Sequence, residues 1–393
     1  MPLDIAKIRG DTPGVAMVTH FNAAGSSLPP QVVVDAVIGH IEREATIGGY
    51  EAADEAAERV DAVYHSVASL IGAQPNEIAI IENATRAWDM AVYGFPFQAG
   101  DRVLIGRSEY ASNLIALLQL QRRCGIEIVV IDDDPQGQIS LDMLARELAS
   151  GAAMVAMTHV PTSGGLVNPA EAVGALCRDA GACFVLDACQ SAGQLPLDVD
   201  AIGCDVLSAT GRKYLRGPRG TGFLYVSSQW LSQIEPPMLD LHAATLTSDT
   251  TYEIRADARR FENWETNYAG KLGLGAAIDY ANRLGVPATW DRVQLLGNEL
   301  RRSLSTVPGV HVHDKGEVKG GIVTFTVDGS PATEVRNQLA EQSIFTSVSS
   351  GAAARLDLGA RNLEAVVRAS VHYYNTNDEI DLLAAALHRS SAG

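Results

Sequence analysis

The stretch SATGRKYLRGPRGTGFLYV, Ser208–Val226, sets four glycines, three arginines and one lysine between the β-rich runs DVLSA (205–209) and TGFLYV (221–226). The whole chain of 393 residues carries a formal net charge of -17, so this concentration of cations needs a reason. Glycines, small hydroxyls and cations around a bend suit an anion held close to the backbone. Lys213, alone at the centre, adds an amine available for covalent chemistry.

Five further β-rich runs precede this stretch: EIAIIE (77–82), RVLIG (102–106), IEIVVID (126–132), AMVAMTH (153–159) and ACFVLDA (182–188). Most of the runs are continuously apolar instead of alternating, which predicts strands covered on both faces. Helical spacing between them predicts βαβ units and an α/β fold with a mainly parallel seven-stranded sheet. Ligands on such sheets bind beyond the carboxyl ends of the strands. The residues found there are Asn83-Ala84-Thr85, Glu109-Tyr110, Thr158 to Thr162, Asp187 to Gln190 and Thr210 to Lys213.

After residue 235 the pattern changes. Residues 236–258 show no periodicity and read as a long loop. Helical spacing returns at 270–285 and Ala288–Leu304, then strands near 309–313 and 320–327 and a helix near 331–341. The run VVRASVHYY (366–374) and a helix from about Asp378 close the chain. This predicts a smaller C-terminal α+β unit over 270–393, joined by residues 1–14, beside a large unit over 15–260.

Composition narrows the partners. An acidic balance argues against nucleic acid and membrane surfaces. No apolar run approaches the roughly eighteen residues of a membrane span. The opening MPLDIAKIRGDTPG lacks the basic start and apolar core of a signal peptide, so a cytoplasmic location is expected. Five cysteines (Cys124, Cys177, Cys183, Cys189, Cys204), odd in number and without a CxxC, read as reduced thiols. No metal site is expected.

The strand-end residues have chemistry in common. Thr210 and Arg212 flank Lys213, and the helix opened by Ala84 and Thr85 offers backbone N–H groups to a phosphate. Thr85 also reads as a plain helix cap. Asp187 ends a very apolar strand, where a carboxylate is costly unless it meets a cation. A carboxylate, a lysine amine and a phosphate cradle are what pyridoxal 5'-phosphate requires. Gln190 lies within reach of the ring's phenolic oxygen in such a site, and Tyr110 can lie against the ring.

At these residues the sequence resembles the class V aminotransferases, the cysteine desulfurase-like group of fold-type I pyridoxal-phosphate enzymes. The resemblance runs from FNAAGSSLPP (21–30) to VVRASVHYYNTNDEIDLL (366–383), and DACQSAG (187–193), the Lys213 stretch and RASVHYYNTNDEID (368–381) carry most of it. It implies that Lys213 is the Schiff-base lysine, Asp187 pairs with the pyridine nitrogen and Gln190 with the phenolic oxygen. Ala84, Thr85, Thr210 and Arg212 would hold the phosphate. Arg368 would clamp the substrate's α-carboxylate, helped by Asn22, as a planar guanidinium can. RRFENWETNYAGKLGLG (259–275) resembles the segment that reaches the neighbouring subunit's phosphate, which makes Trp264, Glu265 and Thr266 candidates and implies a homodimer with shared sites.

There are departures. Tyr110 stands where many relatives stack a histidine, Arg212 where the lysine's neighbour is usually histidine, and Thr162 where an asparagine is usual. Thr162 resembles the C–S lyase and isopenicillin N epimerase-like side of the family. The loop SVSSGAAARLD (347–357), which carries the nucleophilic cysteine of desulfurases, has no cysteine. The expected activity is therefore β-elimination from cysteine or an S-substituted cysteine, giving a thiol, pyruvate and ammonia, with Lys213 removing the Cα proton. Transamination, epimerisation and decarboxylating oxidative deamination of an S-conjugate are the alternatives, with desulfuration behind them. A cofactor-free scaffold is the other class, and the intact Lys213, Asp187 and Arg368 argue against it.

Overall fold

The computed structural model describes residues 3–391. Seven strands form the large sheet: β1 (Ile78–Ile81), β2 (Arg102–Gly106), β3 (Glu127–Ile131), β4 (Met154–Thr158), β5 (Cys183–Asp187), β6 (Val206–Thr210) and β7 (Gly222–Val226). Their spatial order is β1-β7-β6-β5-β4-β2-β3, and β7 alone runs antiparallel to its neighbours. The expected mainly parallel sheet is present. Every residue of β4 to β7 is buried, while β3 at the edge is half-covered.

The continuous apolar runs follow from the two cores they serve. Along β5, Phe184 and Leu186 enter one cluster with Val155, Leu207 and Ile278. Cys183 and Val185 point the other way, to Met154, Val206 and Trp88. Alternate residues of a strand face opposite sides, so a strand covered on both must be apolar throughout.

A short hairpin, β8 (Ala244–Leu246) with β9 (Tyr252–Ile254), occupies the stretch read from sequence as a loop. Its residues are mostly exposed, so it carries no apolar alternation to read. The C-terminal sheet is antiparallel in the order β10-β11-β13-β12, from β10 (Val310–Val312), β11 (Ile322–Val327), β12 (Ser347–Ser350) and β13 (Ala365–Ser370). One sequence expectation needs correction there. The run 366–374 is strand β13 as far as Ser370, and beyond it His372 N bonds Asn375 Oδ1 at 2.7 Å. The segment 347–357 begins as strand β12, paired with β13 through Ser347 and Arg368.

A third core lies under this sheet and joins Leu300, Phe325, Val367 and Leu383 to Ile8 and Phe21 of the N-terminal segment. Thr19–His20 pairs with Ile344–Phe345, and Asn22 bridges to Ser370, so the chain crosses from β13 to the large sheet at residues 22–24. Among the described residues no helix is long and apolar enough to cross a membrane.

Candidate active site

The bend between β6 and β7 holds Lys213 at the carboxyl end of the sheet. Gly211 N bonds Thr221 O at 2.9 Å and Gly217 N bonds Gly211 O at 2.7 Å, closing the bend on itself. A Cβ on Gly211 would sit 2.4 Å from Thr221 Oγ1, and one on Gly222 would sit 2.5 Å from Ala209 O. These glycines are therefore needed for packing of the bend, and Gly211 does not owe its place to an anion alone.

The cations of the stretch divide by task. Arg219 is exposed. Arg216 is buried with a left-handed φ of 63°, and its guanidinium donates to Leu28 O at 2.8 Å and Tyr373 Oη at 3.1 Å over the Tyr374 ring. It ties the lysine bend to the N-terminal segment and to the residues after β13. His372 adds a second tie. Its Nδ1 accepts from Tyr373 N at 2.9 Å, which puts the proton on Nε2 for donation to Tyr214 O at 3.1 Å. Burial, with Arg216 nearby, holds this imidazole far below its ordinary range, so it stays neutral.

Lys213 and Arg212 face the cleft. Its walls are Asn83, Ala84, Thr85, Tyr110, Thr158, Val160, Thr162, Asp187, Cys189, Gln190, Thr210, Arg212 and Lys213. All thirteen lie in the strand-end stretches singled out from sequence, which thus meet in one place. Asn83 caps the Ala84–Val92 helix by accepting from Arg86 N at 2.9 Å, leaving the first-turn N–H groups beside the Thr85 hydroxyl. Thr210 Oγ1 donates to Thr221 O at 3.4 Å, and Arg212 Nη1 donates to Gly25 O.

Arg368 and Asn22 adjoin the cleft through Thr162. Arg368 Nη1 donates to Thr162 Oγ1 at 2.6 Å and to Thr162 O at 3.2 Å, and Nη2 reaches Asn22 Oδ1 at 3.4 Å. Gln190 Nε2 donates to the same Thr162 Oγ1 at 3.2 Å and to Ala24 O at 3.1 Å. Ser349 Oγ meets Thr162 O at 3.5 Å, which lays the start of the 347–357 segment against Thr162 and Arg368. Trp264, Glu265 and Thr266 are elsewhere. Glu265 and Thr266 line a separate hollow with Glu82, Thr221 and Lys271, and Trp264 is 43% exposed beside Tyr50.

Among the described residues Asp187 forms no ion pair with a lysine or arginine side chain. Oδ1 accepts from Cys189 N at 2.9 Å and Oδ2 from Asn113 Nδ2 at 3.0 Å. Asn113 was not singled out from sequence, and Glu109 was named only as a strand-end residue. The one available signal is their spacing of four residues across the start of the Ala111–Cys124 helix.

The charge balance indicates what the cleft accepts. Lys213, Arg212 and Arg368 make no ion pair with a carboxylate among the described residues, and Arg368 Nε and Gln190 Oε1 are buried without a hydrogen-bond partner. Burial drives the Lys213 ammonium below its ordinary range, outweighing Cys189 and Asp187, and Arg212 and Arg368 add to that shift. Burial likewise brings Arg368 down to about 10. Burial, then Asp187, pushes the Cys189 thiol far up, so it stays protonated. An anionic ligand with an aldehyde, a phosphate and a ring nitrogen fits this donor set. Among the described residues no group of His, Cys, Asp and Glu could hold a metal ion.

Comparison with known proteins gives the family. The family model "Aminotransferase class-V" matches residues 18–383. A probable cysteine desulfurase of Methanothermobacter thermautotrophicus is 30% identical over 97% of this chain and 96% of its own. The apo cysteine desulfurase of Thermococcus onnurineus superposes with a TM-score of 0.92 at 26% identity, covering 100% of this chain and 99% of that one. The cystine C–S lyase C-DES, solved with its reaction product cysteine persulfide, gives 0.86 at 26% identity over 96% and 99%. A C-DES variant in the same set carries glycine covalently linked to the PLP cofactor. The chain belongs to the aminotransferase class-V family and is a pyridoxal-phosphate-dependent enzyme of fold-type I architecture.

Proposed function

We propose that the protein is a β-eliminating C–S lyase acting on cysteine, cystine or an S-substituted cysteine, with a thiol or persulfide, pyruvate and ammonia as products. One observation carries this reading: the segment 347–357 lies against the carboxylate clamp and contains no cysteine. The names of the relatives favour desulfuration, which needs an enzyme thiol to take the sulfur. Of the five thiols here, Cys177, Cys183 and Cys204 are buried in the cores, Cys124 is exposed on a helix end, and Cys189 is held protonated. Likeness to a cystine C–S lyase supports the elimination.

When bound, the cofactor supplies an electron sink for charge developing at the substrate's Cα. The chain's residues do the rest. In our reading Arg368 holds the α-carboxylate through its free Nε and a terminal nitrogen, with Thr162 and Asn22 fixing the guanidinium plane. Lys213 Nζ takes the Cα proton, and the lowered proton affinity that burial gives it keeps a neutral amine available. The same ammonium can then protonate the departing sulfur. Thr85, Thr210, Arg212 and the helix end at Ala84 would hold the phosphate, Asp187 would pair with the ring nitrogen and Gln190 with the phenolic oxygen, and Tyr110 would lie against the ring.

We also propose a homodimer. Tyr50, Trp264, Leu246 and Tyr252 are large exposed side chains, 43–78% accessible, around the candidate partner-facing segment. The division into a large unit over 15–260 and a small one over 270–393 with 1–14 belongs to the same reading. The third core, with Ile8 inside it, supports the N-terminal assignment, and residues 1–2 and 392–393 lie outside the described residues. The test of function is product analysis after supplying cysteine, cystine and a panel of S-substituted cysteines. Pyruvate supports elimination, alanine means desulfuration, and a keto acid retaining its sulfur means transamination or oxidative deamination.

A further inference from the structure

Behind Asp187 lies a buried pair that the reaction as described does not use. Asn113 Nδ2 donates to Asp187 Oδ2 at 3.0 Å and to Glu109 Oε1 at 2.8 Å, so one amide nitrogen spans two carboxyl groups. Glu109 Oε1 also accepts from Tyr110 N at 2.9 Å and Thr158 Oγ1 at 2.7 Å. All four side chains, Glu109, Asn113, Thr158 and Asp187, are buried. Glu109 Oε2 is buried with no hydrogen-bond partner.

We infer that Asn113 and Glu109 are positioning residues, which fix Asp187 against the cofactor's ring nitrogen, with Glu109 acting as a neutral, proton-bearing carboxylic acid. The inference rests on the reading that Asp187 faces that nitrogen. The bond pattern gives the reason. Asn113 offers both its protons, one to each carboxyl, and this turns Asp187 Oδ2 to a single orientation. Cys189 N fixes Oδ1 from the other side. An ionised Glu109 would leave charge on the buried, unpartnered Oε2 and place a second anion one amide away from Asp187. Removing that charge by protonation leaves Asp187 as the anion that meets the ring. Burial raises the Glu109 proton affinity in the same sense and outweighs the opposing hydrogen bonds from Thr158, Asn113 and Tyr110 N, while the Asp187 charge adds to the rise.

The test uses the full-length protein, stripped of cofactor and reloaded with either pyridoxal phosphate or its 1-deaza analogue, in which a ring C–H replaces the nitrogen. Asn113→Ala should weaken pyridoxal phosphate about tenfold, the lower end of what a charge-assisted hydrogen bond is worth, and leave the analogue within about twofold. Asn113→Asp keeps the shape while losing the donor, and should show the same selective loss if the alanine variant folds poorly. Glu109→Ala should behave like Asn113→Ala, and Glu109→Gln should recover most of the loss, because a neutral group suffices. Equal weakening of both ligands would mean a merely structural role and overturn the inference. So would a Glu109→Gln variant as poor as Glu109→Ala. Asp187→Ala separates the two levels: if it too fails to discriminate the ligands, the orientation of Asp187 is what is wrong.

Discussion

Replacing Arg368 with lysine keeps one positive charge and removes the planar fork. In the wild-type protein Nη1 is committed to Thr162, at 2.6 Å to the hydroxyl and 3.2 Å to the carbonyl, and Nη2 leans on Asn22. These bonds fix the guanidinium plane while Nε, buried and unpartnered, stays free for a ligand. A lysine can keep either the Thr162 contact or a substrate contact in one geometry. The loss is therefore about one charge-assisted hydrogen bond, roughly 1.5–3 kcal/mol, or about tenfold to a hundredfold in kcat/KM. Because the carboxylate is held equally before and during reaction, most of the change should fall on KM. The assay is steady-state kinetics with cystine and with cystamine, which has no carboxylate. Arg368→Lys should lose cystine turnover selectively. Unchanged kinetics with cystine, or an equal loss for both compounds, would place the carboxylate elsewhere.

Three further outcomes are expected. Lys213→Ala should abolish the borohydride-reducible link to the cofactor, and peptide mapping that finds the reduced cofactor on another lysine would refute the assignment. Glu262→Ala should cost about 3–5 kcal/mol in urea unfolding, because it strands the buried Lys271 ammonium, which now sits 2.9 Å from Glu262, itself bonded to Tyr64 Oη and Ile80 N. A loss below about 1 kcal/mol, the range of a surface pair, would contradict this. Acid should destabilise the fold well above the carboxylate range. Burial lowers His20 and His159 from 6.5 to about 4, so between these values the unfolded chain binds protons the folded one refuses. Stability is thus present above 6.5 and falls toward pH 4, by about 1.4 kcal/mol per pH unit for each histidine. A melting temperature at pH 5 equal to that at pH 7 would refute this.

The sequence and the structure agree best where one local rule governs several residues. The runs 153–159, 182–188 and 221–226 are apolar throughout because two cores flank them, and that pattern is visible without a partner. The ends of strands β2, β5 and β6 carry Tyr110, Asp187 and Lys213 to one cleft, as the rule for parallel sheets requires. The hairpin at 244–254 escaped because its strands are three residues long and largely exposed. Strand β12 escaped because SVSS is polar, held by β13 instead of by apolar periodicity. Arg216 reads in sequence like its neighbour Arg212, and only the tyrosines brought from 373 and 374 separate a brace from a ligand-facing cation. Asn113 lies 74 residues from Asp187, a contact no local pattern encodes.

The central claim is that sulfur leaves without passing through an enzyme thiol. Its most direct test is a variant in which all five cysteines are replaced, by serine or alanine, supplied beside the wild-type protein with cysteine and with cystine while pyruvate and alanine are followed. The account predicts pyruvate at a rate close to wild type, after correction for the folded, cofactor-loaded fraction. Loss of turnover in that variant, together with alanine and a cysteine persulfide on the wild-type protein, would contradict it.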